Sequence, residues 1–216
     1  MSKLSKGQLS RKKIISEARE VFNRKGSQIT IQELALELGE GVSYITNHYR
    51  TKDHLIVAIA GEYEEKYYEI LQRSGTDLDT LEKIVRLVSA IMDLQYHYRC
   101  AILTVVASSS SQKVLFKQIQ ESYHKNVANF SAFIELLVSN KIAGEMLLQK
   151  EELSVFRFQY VNLHTTWVVS LELYDHPAGY KKMKPLYLKG IVNCFLPYLT
   201  PIGMKQYKAL DFKKFR

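Results

Sequence analysis

Apolar residues along this chain recur at spacings of three and four almost throughout, and runs of strict alternation are scarce. That spacing predicts helices, with glycines and caps setting where they stop. The first helix reads from Ser10 to about Lys25, with Ile15, Ala18 and Phe22 on one face, Ile14 and Val21 beside them, and Gly26 as its end. Ile29-Thr30-Ile31-Gln32-Glu33-Leu34 carries the clearest local signal. Thr30 is a candidate N-cap, Glu33 completes a capping box with it, and Ile29 and Leu34 can form the accompanying hydrophobic staple. A short helix is therefore expected from Ile31 to Leu38, where Gly39-Glu40-Gly41 interrupts it. Another short helix follows from Val42 to about Tyr49. Thr51 then caps a long helix through Leu55, Ile59 and Tyr63 towards Arg73.

Beyond residue 76 the periodicity describes a helical body. Leu78, Leu81, Ile84, Val88 and Ile91 mark a helix ending near Tyr98, and a short apolar piece from Cys100 to Ala107 runs into a polar Ser108–Ser111 loop. Leu115, Ile119, Tyr123, Val127, Phe130, Ile134 and Leu137 predict a long helix, with Gly144 ending that region. Leu153, Phe156, Tyr160, Leu163, Trp167, Leu171 and Tyr174 predict another. A last helix is expected to start at Pro185, a favoured first position, and to carry Leu188, Ile191, Val192, Phe195 and Leu199. All four prolines lie beyond residue 176, which leaves the preceding stretch without the commonest helix breaker. The chain is expected to be all-α.

Three helices within the first segment, the last two joined by a glycine-bearing turn, describe a helix-turn-helix. Such a pair must cross the DNA backbone with its first helix and lay its second in the major groove. Inward positions must then be apolar, as Leu34, Ala35, Leu38, Ile45 and Tyr49 are. Outward positions of the second helix must hydrogen-bond, as Ser43, Tyr44, Asn47 and His48 can.

Charge by itself fits both this reading and that of a solvated, frayed terminus. The net charge is +8, and it is concentrated at the ends. Residues 1–54 hold 10 basic and 6 acidic side chains, residues 200–216 hold 5 and 1, and the 145 residues between hold 15 of each. Residues 1–13 carry Lys3, Lys6, Arg11, Lys12 and Lys13 with no acid. A basic end beside a neutral body points to a polyanion such as double-stranded DNA. No apolar run of membrane-span length or signal peptide is present, so a soluble, cytoplasmic chain is expected, with no membrane partner. Cys100 and Cys194 are too few for a disulfide framework. His97 and Cys100 share a helix face but are too few for a closed zinc site, and no cofactor or catalytic motif is present. No metal, no cofactor and no enzyme are therefore expected.

The residues Thr30-x-x-x-Leu34-Ala35-x-x-Leu38-Gly39, with Ile45, Tyr49 and Lys52-Asp53-x-Leu55, resemble the N-terminal signature of the TetR family of bacterial transcriptional regulators. The resemblance covers roughly residues 10–60. Without gaps, Gly39 falls on the family's turn glycine, Glu40 on its usual valine and Gly41 on its usual serine N-cap. Thr46 falls where a phosphate-contacting tyrosine is usual, and His48 where a second aromatic is common. The resemblance implies a DNA-binding head over residues 1–54 and a helical effector-binding and dimerisation body over 55–216, linked by the helix from about residue 51. It implies DNA contacts from Lys12, Lys13, Thr30, Val42, Ser43, Tyr44, Thr46, Asn47, His48 and Lys52, with Lys52 on a phosphate.

The body aromatics are core by default at helical spacing. The resemblance instead implies a small-molecule effector between helices, with Tyr96, His97, Phe130, Tyr160, His164 and Trp167 as candidate contacts. The neutral charge sum of residues 55–199 argues against a strongly charged ligand and for a largely apolar or aromatic one, although a single buried charge is enough to hold a charged one. Phe156, Trp167, Leu171, Ile191, Phe195 and Leu199 offer more apolar surface than two short layers need. The resemblance implies a homodimer through them, as a four-helix bundle with two helices from each chain. The leading expectation is a ligand-released repressor on a palindromic operator. Its rival is a helical sensor or interaction protein that no longer reads specific DNA, with Glu40 and Thr46 as signs of drift.

Overall fold

The computed structural model describes residues 5–75, 77–107 and 130–215. Ten helical elements order the described chain: α1 Lys6–Lys25, α2 Ile31–Leu38, α3 Val42–Thr46, α4 Lys52–Ser74, α5 Leu81–His97, α6 Arg99–Ala107, α7 over 130–139, α8 Lys150–Ser170, α9 Tyr180–Val192 and α10 Pro201–Ala209. Short 3-10 or π turns lie at Glu145–Leu148 and between Leu171 and Tyr198. Among the described residues the only strand-like feature is one antiparallel bridge, Ala143 to Leu199. The chain is all-α, as the spacing predicts. Leu115, Ile119, Tyr123, Val127 and the Ser108–Ser111 loop lie outside the described residues.

The described chain packs as two units. Residues 5–66 and 97–107 form the first, and residues 67–75, 77–96 and 130–215 the second. The first unit is larger than the 1–54 segment, because it takes in most of α4 and all of α6. A polar clamp accounts for part of that. Asn23 on α1 donates from Nδ2 to the His97 carbonyl (2.8 Å) and accepts at Oδ1 from the Cys100 amide (3.0 Å), while Arg99 donates to the Asn23 carbonyl. These bonds satisfy backbone groups where α5 gives way to α6. Arg19 is buried beside them, over the Tyr98 ring at 4.7 Å, and shares Glu62 with the Tyr98 hydroxyl.

Helix boundaries follow the expected local chemistry with several differences, among them that Leu78 precedes the helix beginning at Leu81 and that Phe195 and Leu199 lie past the end of α9 at Val192. α1 begins at Lys6, four residues early, because Ser5 and Gln8 form a capping box of their own. Its buried stripe is Ile14, Ala18, Val21 and Phe22, with Ile15 only half-buried. α3 ends at Thr46, leaving Asn47 and His48 in the turn before buried Tyr49. α9 begins at Tyr180, not at Pro185, which sits inside it. The helix that does start on a proline is α10, where Pro201 follows the N-cap Thr200.

The second unit is held by an aromatic core and by an ion pair between a buried lysine and an exposed aspartate. Phe156 and Tyr160 of α8 stack at 5.6 Å between centroids, and Phe195 meets Phe156 at 5.0 Å. Lys184 of α9, 3 % exposed, reaches Asp93 of α5 at 2.7 Å, and Tyr180 donates to the same carboxylate. Phe156, Trp167, Leu171, Ile191 and Phe195 are all buried within the chain itself, and Leu199 is half-buried. This changes the expectation for the dimer face. The most regular apolar stripe of an amphipathic helix goes first to its own core, and of these side chains only Leu199 keeps part of its surface. The outward apolar residues of α8 are Val155, Phe158 and Leu163, and α9 adds Leu186.

Candidate nucleic-acid interface and body cavity

The head is built around the turn between α2 and α3. Thr30 Oγ1 accepts from the Glu33 amide (3.2 Å), and the Thr30 amide donates to the Glu33 carboxylate (2.7 Å), so the predicted capping box is present. α2 ends where Gly39 takes φ 65°, ψ 26°. The Gly39 and Glu40 amides return to the Leu36 and Ala35 carbonyls, a double closure that needs a residue free to adopt the left-handed region. Leu34, Ala35, Ile45 and Tyr49 are buried and Leu38 half-buried, which fixes α3 against α1 and α2.

On the outward side Val42, Ser43 and Asn47 are exposed, and Tyr44, Thr46 and His48 half-buried. Tyr44 and His48 meet edge to face at 6.2 Å. The Thr46 hydroxyl donates back to the Val42 carbonyl (3.2 Å), and the Thr30 hydroxyl donates to Glu33 (2.9 Å), so both are occupied within the head. Lys13 lies 5.9 Å over the Tyr44 ring and pairs with Glu40 at 3.5 Å and Glu17 at 3.8 Å. Glu17, then Tyr44 and Glu40, hold its ammonium above the ordinary lysine pKa. Lys12 and Lys52 pair with no carboxylate among the described residues. Arg50, exposed beside Tyr49, is a further cation that helical spacing did not single out, because it lies between helices.

The second unit contains a cavity of about 550 Å³. Its walls come from α4 (Tyr67, Tyr68, Leu71), α5 (Ile84, Val88, Ile91), α7 (Phe130, Phe133, Leu136) and α8 (Arg157, Tyr160, Val161, His164). Of the expected effector contacts, Phe130, Tyr160 and His164 line it. Tyr96 instead stacks on Tyr180 at 4.1 Å, and Trp167 packs on Tyr180 and donates from its indole to Gln95 (2.6 Å). His97 lies in the other unit, 3.9 Å from Glu20. Burial, with Arg19 next, lowers its pKa. Cys100 nearby is a buried thiol pushed up to about 12 by burial, so it is inert as a nucleophile at neutral pH.

Two polar atoms of this wall are buried and unpartnered among the described residues, Tyr68 Oη and His164 Nε2. Leaving such a group unpaired costs about 1–3 kcal/mol. Burial also pushes the His164 imidazole down to about 4, so at neutral pH it is uncharged. Gln95 holds this part of α8, donating to the His164 carbonyl (2.9 Å) while accepting from Trp167. Arg157 and Tyr68 were missed by the sequence reading. The signal for Arg157 was its place in the series Arg157, Tyr160, Val161, His164, one face of α8.

A helix-turn-helix in the first unit and an aromatic-lined cavity in the second, helical one define the class of all-α folds to which the described residues belong. The particular fold is that of the TetR-family transcriptional regulators. A TetR-family transcriptional regulator from Marinobacter aquaeolei VT8 matches with a TM-score of 0.78 at 24 % identity, over 95 % of this chain and 98 % of that one. SmeT, solved in complex with triclosan, matches with a TM-score of 0.64 at 13 % identity, over 90 % and 93 %. A probable HTH-type transcriptional regulator, YttP of Bacillus subtilis (strain 168), is 26 % identical over 115 residues, 51 % of this chain. The match spans 56 % of that protein, little more than half its length. No family model matches the chain. The likeness in fold thus covers 95 % of this chain, well beyond residues 10–60. No helix among the described residues is long and apolar enough to cross a membrane.

Proposed function

We propose that the protein is a cytoplasmic transcriptional repressor that binds a palindromic operator as a homodimer and leaves it when a small molecule fills the body cavity. The observation that carries the reading is the head. A doubly closed glycine turn presents exposed Ser43 and Asn47 for base edges, and Lys12 and Lys52 flank it without carboxylate partners among the described residues. Val42, Tyr44 and His48 complete the groove-facing surface, and Arg50 adds a phosphate contact. Thr30 and Thr46 act mainly through the fold of the head, since their hydroxyls are already bonded. Lys13 contributes less than Lys12, because Glu17 and Glu40 hold it.

Two further observations support the rest. Phe158 is 71 % exposed on the outward face of α8, and Val155, Leu163 and Leu186 are exposed as well, an apolar surface suited to a second copy. The cavity is of a size typical for a small-molecule site, and the fold neighbour SmeT is solved with triclosan bound. The effector contacts we assign are Phe130, Tyr160 and His164.

The test is a salt-titrated mobility shift on the gene's own upstream DNA. Specific binding should weaken steeply with salt as lysines release counterions from phosphates. Lys52→Ala should weaken all sequences alike, and Asn47→Ala should relax one base position at a cost of about 1–3 kcal/mol. Binding that ignores salt overturns the reading. Binding that is salt-sensitive but blind to sequence favours the second reading, a helical sensor or interaction protein that no longer reads specific DNA, for which the pairing of Glu40 in the turn with Lys13 of α1 is the supporting observation.

A further inference from the structure

We propose that the body cavity selects an amphiphilic organic monoanion, an elongated ring-bearing molecule with one carboxylate held by Arg157 and a hydrogen-bonding group at its other end held by His164. The inference deepens the effector reading of the cavity and rests on it for its regulatory meaning.

The sign of the charge follows from what lines the space. Arg157 is the one charged side chain among the described lining residues, and no Asp or Glu is with it. It is half-buried, and no carboxylate among the described residues pairs with it. A cationic ligand meets no countercharge there and is repelled. A neutral ligand covers the guanidinium without answering it. A carboxylate matches its planar fork with two parallel hydrogen bonds. One cation also sets the number of charges, since a polyanion such as a nucleotide would bring unanswered charge into an apolar site.

The shape follows from α8. Arg157, Tyr160, Val161 and His164 form one stripe along the cavity wall, and seven residues of helix advance about 10 Å. The two ends of the stripe are polar and the middle is the Tyr160 ring, stacked on His164 at 5.4 Å. At the far end His164 Nε2 is buried without a partner among the described residues, as is Tyr68 Oη of α4 elsewhere in the cavity wall. Buried polar atoms are almost always paired in folded proteins, and two orphans on one cavity are groups whose partners a ligand supplies. Because burial keeps His164 uncharged at neutral pH, it offers a hydrogen bond and no second positive charge.

The probes are 4′-hydroxybiphenyl-4-carboxylate, its carboxamide and its aminomethyl counterpart, titrated calorimetrically into the full-length protein without DNA. The carboxylate should bind at least about 10-fold more tightly than the carboxamide, the worth of one charge-assisted hydrogen-bonded pair, and the amine most weakly. Arg157→Gln should abolish the preference for carboxylate while leaving carboxamide binding in place, and Arg157→Lys should keep the order of the three. His164→Phe should weaken the hydroxylated acid but not biphenyl-4-carboxylate, which lacks the hydroxyl. Equal binding of carboxylate and carboxamide, a preference that survives Arg157→Gln, or no binding by any probe overturns the proposal. A carboxylate that binds with the Arg157-dependent preference yet leaves operator affinity unchanged overturns the effector reading and leaves the ligand class standing.

Discussion

Acidification tests the burial of His164. The residue is 8 % exposed in the folded chain, and burial pushes its pKa from the ordinary 6.5 down to about 4. Between those two values the unfolded chain binds a proton that the folded chain refuses. Stability is therefore full above about pH 6.5, falls as the pH drops, and stops falling on this account below about 4. The whole window is worth roughly 3 kcal/mol, and integration from pH 7.5 to pH 5 alone gives about 2 kcal/mol. That is a sizeable share of a typical domain's stability.

His97 is shifted in the same direction, so the measurement has to isolate one imidazole. Urea unfolding of the wild type and of His164→Phe, followed through the single tryptophan at fixed protein concentration, does so. Phenylalanine keeps the ring beside Tyr160 and removes the unpartnered Nε2, so at pH 7.5 the variant should be at least as stable as the wild type. On lowering the pH to 5 the wild type should lose about 2 kcal/mol more than the variant. His164→Gln, polar but without a proton to gain, should share the variant's shallower slope. Parallel curves for all three proteins would refute the reasoning, because they would mean that the folded imidazole accepts its proton as readily as the unfolded one.

Two other substitutions probe the packing. At Gly203, in the first turn of α10, a Cβ would lie 2.1 Å from the Ile142 carbonyl oxygen and 3.2 Å from Leu199 Cδ2, so Gly203→Ala should cost about 1–3 kcal/mol or more in urea unfolding, as overpacking does; an unchanged midpoint would count against this close approach. Phe158→Glu should leave the protomer's unfolding midpoint nearly unchanged, since the side chain is 71 % exposed, yet convert a dimeric wild type to one chain mass in light scattering. A variant that keeps the wild-type dimer mass would remove the outward face of α8 as the interface.

The head was legible because its signals are local. Thr30 and Glu33 bond across three residues, Gly39 closes a helix within its own turn, and both announce themselves by residue type and spacing alone. The α3 end was misjudged by three residues for a related reason. Asn47 and His48 fit the helical pattern, but Asn47 lies exposed in a turn from which His48 leads directly to buried Tyr49. The start of α9 shows the limit of a local rule. Proline favours a first helical position, and Pro201 takes one, but Pro185 sits five residues inside a helix that begins at Tyr180. Nothing in the immediate surroundings of the two prolines distinguishes them as strongly as Thr200, whose hydroxyl accepts the Gly203 amide at 3.1 Å and caps the second.

The body was legible as helices and not as a site, because periodicity reports that a side chain is turned inward without saying towards what. Phe156, Tyr160 and His164 share one spacing, yet Phe156 fills the aromatic core while Tyr160 and His164 also border an open space. Trp167 continues the same series and is claimed by Tyr180 and Gln95 from other helices. The difference between core, cavity wall and subunit face depends on which neighbours arrive across more than 60 residues of chain, as Gln95 does for His164. The same holds for the charge. Residues 55–199, with 15 side chains of each sign, average to zero, but a ligand meets only the side chains that line its space, and the described lining holds one arginine and no carboxylate. The sum over residues 55–199 therefore argues for a neutral ligand while the geometry argues for an anion, and the geometry decides because an acid on the outer surface is screened within about one Debye length.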